Sequence, residues 1–162
     1  AAAFRDALKK KDAFPDAHYM LGTVLKQQGA LDEAIAHFQR AVELQPIMAE
    51  GYLSLGQALQ QRGRASESHA ALEQAQKLNQ QKADAQASTF AVSVGNRKFQ
   101  SGDLAGAIQQ YREAIKLSDD NPQAHYRLAI ALIRQGARGE AQRSFDTARA
   151  LAPYLQPPTG LR

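Results

Sequence analysis

The 162-residue chain contains no cysteine and no tryptophan. The first absence excludes disulfides and thiolate metal sites. Val, Ile, Thr and aromatic residues are sparse, which excludes a β-rich fold. No run approaches the ~18 apolar residues needed to cross a bilayer as a helix. The first residues lack the pattern of a secretory signal. What remains is rich in Ala, Leu, Gln, Glu, Lys and Arg, all good helix formers. The six prolines and eleven glycines are punctuation between helical stretches.

That punctuation is periodic. Gly29, Gly63, Gly102 and Gly136 each interrupt a helical pattern, at intervals of 34, 39 and 34 residues. Before each break stands a large apolar residue followed by a small one: Leu21-Gly22, Leu55-Gly56, Val94-Gly95 and Leu128-Ala129. After it come a small residue (Ala34, Ser68, Ala107, Ala141) and then a bulky one (Phe38, Leu72, Tyr111, Phe145). Alanines at 41, 75, 114 and 148 follow, then leucines at 44, 78, 117 and 151. Small positions let paired helices approach, and bulky ones fill the space between layers. The unit is helix, glycine turn, helix, and neither helix can bury its apolar face alone. Pro15 and Pro122 fit first helical positions, with Asn121 and Asp103 as N-caps.

This grammar resembles the tetratricopeptide repeat, with its 34-residue period, aromatic-x2-Leu-Gly-x2-aromatic first helix and Ala-x3-Phe second helix. The resemblance covers about nine-tenths of the chain and implies an all-α fold, a right-handed superhelical solenoid of antiparallel helix pairs. Four repeats fit, at 15–48, 49–82, 83–121 and 122–155, followed by a tail at 156–162. Residues 1–14 read as the second helix of a truncated repeat, Phe4 and Ala7 matching Phe38 and Ala41. All are expected to form one solenoid domain, excised from a longer protein. The proline-rich tail cannot continue a helix; it is expected to be disordered or to fold back over the last helix.

The copies also disagree. His18 and His125 replace the first aromatic of their repeats, which Tyr52 keeps. In the third copy Ala91 replaces it, and Lys98 sits where Leu25, Leu59 and Leu132 stand elsewhere. Gln80 and Asp119 replace the terminal prolines Pro46 and Pro153. Residues 83–87 are an insertion without Gly or Pro. They are expected to extend the third repeat's first helix at its N-terminal end, to nearly 20 residues ending near Ser101, with a loop as the alternative.

No catalytic or cofactor signature stands out. The histidines lack metal-ligand spacing, the glycines are not clustered as a phosphate loop, and no nucleophile motif occurs. The expectation is therefore no enzyme activity, no metal and no cofactor. In the family it resembles, the first helices line a concave groove that binds extended peptides. The resemblance then assigns Tyr19, Thr23 and Lys26 of the first repeat to that groove, with Ser54, Gln57 and Gln60 of the second. The third offers Val92, Asn96 and Phe99, and the fourth offers Tyr126, Arg127, Ile130 and Arg134. Phe99 and Ile133 have a competing role in packing. Tyr19 and Thr23 stand where a chaperone-tail clamp would have lysine and asparagine, so that clamp is not expected.

The expected function is a non-catalytic scaffold for an extended peptide or partner protein. The alternatives are a docking or targeting arm of a larger bacterial enzyme, transferase-like, and a self-association module forming a homo-oligomer through exposed repeat ends. Residues 1–121 are charge-balanced, and residues 122–162 carry the whole net charge of +4 through six arginines against Glu140 and Asp146. A solvated face explains most such asymmetry. Nucleic acid is disfavoured as a partner because aromatics do not interleave with the basic residues.

Overall fold

The computed structural model describes residues 14–161, so the reading of residues 1–13 as a half-repeat, with Phe4 and Ala7, lies outside the described residues. Those residues form seven α-helices: α1 (Pro15–Gln27), α2 (Leu31–Leu44), α3 (Ala49–Gln61), α4 (Ala65–Gln100), α5 (Leu104–Leu117), α6 (Pro122–Gln135) and α7 (Arg138–Leu151). The described chain is all-α. It divides into two compact units, which among the described residues are 14–80 and 81–161.

Each helix buries the face that its spacing dictates. In α1 the buried residues are His18, Leu21, Gly22 and Leu25; in α2 they are Ala34, Ile35, Phe38, Ala41 and Val42. The pair turns at Gly29, whose φ of +79° is the left-handed region that L side chains rarely enter. There the Ala30 N–H reaches the Leu25 carbonyl and the Gly29 N–H reaches the Lys26 carbonyl, a Schellman-type closure of the helix end. Gly63, Gly102 and Gly136 repeat the positive φ.

Inside each pair the small residue of the first helix admits the bulky residue of the second. A Cβ added at Gly22 would lie 2.8 Å from the Phe38 ring, one at Gly56 2.7 Å from Leu72, and one at Gly95 2.5 Å from Tyr111. These close approaches seat each unit's core. Leu21, Leu25, Ile35, Phe38, Leu55 and Leu59 form the first. Val92, Ile108, Tyr111, Leu128 and Leu132 form the second.

Capping follows the sequence. Asn121 Oδ1 accepts from the Gln123 and Ala124 N–H groups, and Asp103 accepts from the Gly106 N–H. Asn121 also donates to Ser88 Oγ at 2.8 Å, and that buried hydroxyl donates to the Ala114 carbonyl at 2.7 Å. One cap thus ties α6 to α4 and α5. The proline-rich tail folds back, but its close approach is to Ile133 of α6 and the second core, where a course over the last helix was expected. Pro158 is buried, Leu161 packs against the second core, and Gly160 lies so close to Ile133 that a Cβ would clash at 2.8 Å.

One boundary differs from expectation. The second helix of repeat two does not stop before a new helix opens at the insertion; α4 runs unbroken for 36 residues through residues 83–87. No proline stands between Arg64 and Ser101, and the lone glycine there, Gly95, sits under Tyr111 in mid-helix. Without a terminator the good helix formers on both sides simply continue.

Candidate functional site

The groove candidates are carried on α1 and α3 in the first unit, and on the C-terminal half of α4 and α6 in the second. In the first unit the structure brings two of them together. Lys26 Nζ donates to Gln57 Oε1 at 2.8 Å, linking α1 to α3. Thr23 is turned inward on its own helix, donating to the Tyr19 carbonyl at 2.9 Å. Tyr19 packs on the core, its ring 5.9 Å from that of Phe38. Ser54 is half-buried; Gln57 and Gln60 are exposed.

In the second unit, Arg134 of α6 lies over the Phe99 ring of α4, 5.0 Å from its centroid, a cation–π contact between neighbouring first helices. Phe99 and Ile133 both pack against the core, as their competing role required. Tyr126 stands 6.2 Å from the Phe145 ring, Ile130 is half-buried, and Arg127 and Arg134 are exposed. Two candidates are occupied by structure. Val92 is only 8% exposed and belongs to the core. Asn96 accepts the Tyr111 hydroxyl proton at 2.9 Å. Helical spacing gave both a direction but not a depth: a short valine stays among its neighbours where the longer Tyr19 reaches further out.

Burial pushes the Tyr111 hydroxyl above its ordinary pKa, against the opposing charge of Arg127. The remaining resolved shifts belong to exposed ion pairs. Lys98, which cannot enter the core as its leucine counterparts do, reaches Asp103 at 2.8 Å. That bond and the Gly106 N–H hold the Asp103 carboxyl below the usual carboxylate range. Arg62 forms two parallel bonds to Asp32, at 2.7 and 2.8 Å, and lowers it likewise. His18 and His37 face each other with Nδ1 atoms 3.0 Å apart, and His125 Nε2 donates to the Asp119 carbonyl at 2.9 Å. Among the described residues, no three His, Cys, Asp or Glu side chains gather where they could hold a metal ion. No described helix is long and apolar enough to cross a membrane.

The sequence reading missed a crevice of about 300 Å³ between α5 and α7, lined by Arg112, Arg143 and Ser144 above Ile115 and Leu128. Part of its signal was present as Arg143, read there only within the charge surplus of residues 122–162.

Comparison with known proteins fits this geometry. A TPR repeat family model matches residues 22–63 and again 95–136, and a second tetratricopeptide repeat model matches 49–82. The paired matches start and end 73 residues apart, the distance from each repeat of the first unit to its counterpart in the second. Over 69 residues the chain is 36% identical to the TPR repeat-containing protein MJ1428 of Methanocaldococcus jannaschii. That segment is 43% of this chain and only 12% of that protein. Among solved structures, MamA superposes with a TM-score of 0.48 at 23% identity, over 94% of this chain and 86% of that one. YrrB, described as a TPR protein with an unusual peptide-binding site, gives 0.44 at 18% identity, over 93% and 75%. The family models cover more than half of the sequence and fall on its helical repeats. The chain belongs to the tetratricopeptide repeat family, whose helix pairs generally serve as scaffolds for protein–protein interaction.

Proposed function

We propose that this chain is a non-catalytic scaffold whose first-helix faces take an extended segment of a partner protein. The observation that carries the reading is the meeting of polar and aromatic side chains from successive first helices: Lys26 with Gln57, and Arg134 with Phe99. Such a face offers amides, an ammonium and guanidinium groups to peptide carbonyls and carboxylates, with ring surface for an apolar side chain.

The variants that test it must spare the fold. Asn96→Ala would strip the Tyr111 hydroxyl of its partner, and Tyr126→Ala would remove an aromatic contact beside Phe145. Arg127 and Arg134 are exposed and suit the purpose. Peptides selected from a random display library on the wild-type chain should lose at least about tenfold in affinity on Arg127→Ala with Arg134→Ala, while stability in thermal melting falls only by what the Arg134–Phe99 contact contributes, about 0.5–1 kcal/mol. Selected peptides that bind the double variant equally well would place the recognition surface elsewhere.

A further inference from the structure

The two units are copies, and the places where they differ in surface chemistry are informative. The crevice between α5 and α7 is floored by Ile115 and Leu128. Their counterparts 73 residues earlier, Val42 and Leu55, are also apolar. The walls are not alike. Arg112 replaces Gln39, Arg143 replaces Ala70, and Ser144 replaces Ala71. An apolar floor has been kept while neutral walls have become cationic and hydroxylic.

The two arginines are not equivalent. Arg112 reaches across to Glu140 on α7 at 2.9 Å, so its charge is already matched. The Arg143 guanidinium has no ion pair or side-chain hydrogen bond among the described residues, and neither has the Ser144 hydroxyl. One unspent cation, one free hydroxyl and an apolar floor suit a single carboxylate beside an apolar side chain. A phosphate monoester, with nearly two charges, would meet only one unmatched guanidinium and the nearby Glu140 carboxylate. We infer that this crevice is a second recognition site, which takes an acidic segment of a partner protein. An Asp or Glu carboxylate of that segment bonds Arg143 and Ser144, and its apolar neighbour lies on Ile115 and Leu128. The site shares no residue with the first-helix face, so it stands or falls apart from the function proposed above.

The test is a heteronuclear NMR titration of the full chain with two acetylated, amidated peptides, Glu-Leu-Glu-Leu-Glu and Gln-Leu-Gln-Leu-Gln. The acidic peptide should shift the amides of Ile115, Leu128 and Ser144 saturably, and the glutamine peptide should not. Arg143→Ala should weaken the acidic peptide about tenfold, as expected for loss of a charge-assisted bond, while Arg127→Ala leaves it unchanged. Equal responses to both peptides, no crevice shifts up to millimolar peptide, or indifference to Arg143→Ala would overturn the inference. So would a phosphoserine peptide that binds more than about tenfold tighter than the glutamate one, because the occupant would then be a phosphate. Loss on Arg127→Ala instead would assign the acidic peptide to the first-helix face and remove the second site.

Discussion

At the scale of the residue, Gly95 carries the tightest constraint of the four first-helix glycines, Gly22, Gly51, Gly56 and Gly95. Replacing glycine by alanine inside an exposed helix gains about 1 kcal/mol of propensity. Here the new methyl would sit 2.5 Å from Tyr111, a ring buried at the centre of the second core and tied to Asn96. Overpacking of that kind costs about 1–3 kcal/mol. Gly95→Ala is therefore expected to lower stability by up to about 2 kcal/mol in urea denaturation, the steric cost exceeding the propensity gain. The fourth repeat shows the pattern's tolerance: Ala129 fills the equivalent place, fully buried, in a pair whose bulky residue is Phe145. Asp103 yields a prediction in pH. Its folded-state pKa is depressed, first by Lys98 and then by the Gly106 N–H, so its contribution is present above the unfolded value and is lost as pH falls through the folded one. Asp103→Asn keeps an acceptor for the cap but removes the charge. The melting temperature of the variant should fall below wild type at about pH 7, and the gap should close by about pH 2.

At the scale of the element, the repeat was legible because its signals are local. Spacing gave the buried faces of α1 and α2, positive-φ glycines gave the turns, and Asn121 and Asp103 gave two helix starts. The unbroken α4 was not legible, since a helix boundary there had to be inferred from register alone, with neither glycine nor proline to enforce one. Its middle is largely solvent-facing: residues 79–83 and 85–87 are exposed. Proline at position 83 would remove the bond to the carbonyl at 79 and clash with it, at about 3 kcal/mol. Because Ala83 is exposed, the damage should be local. Hydrogen exchange is expected to quicken across residues 79–87 in Ala83→Pro, with protection of Leu25 and Leu132 largely retained. Collapse of protection at both leucines would show that the continuity of α4 is needed for the folding of the cores themselves.

At the scale of the molecule, duplication separates what holds the fold from what distinguishes the copies. Positions facing a core are nearly interchangeable between units: Val42 with Ile115, Leu55 with Leu128, Leu59 with Leu132. Their chemistry follows from helical periodicity, and they were readable. Surface positions such as 70 and 143 obey no period, and their meaning emerges only when folding brings them beside residues of other helices. The same logic bears on stability. Each unit has its own core cluster, so a core lesson should be written first into its own half. Phe38 is fully buried in the first core, and truncating it to alanine removes about 3–5 kcal/mol of packing. In Phe38→Ala, amide exchange should accelerate across α1 to α3 by orders of magnitude, while α5 to α7 keep most of their protection, because Tyr111 still fills the second core. Equal loss of protection in both sets of helices would show instead that the repeats fold as one cooperative unit, their separate cores notwithstanding.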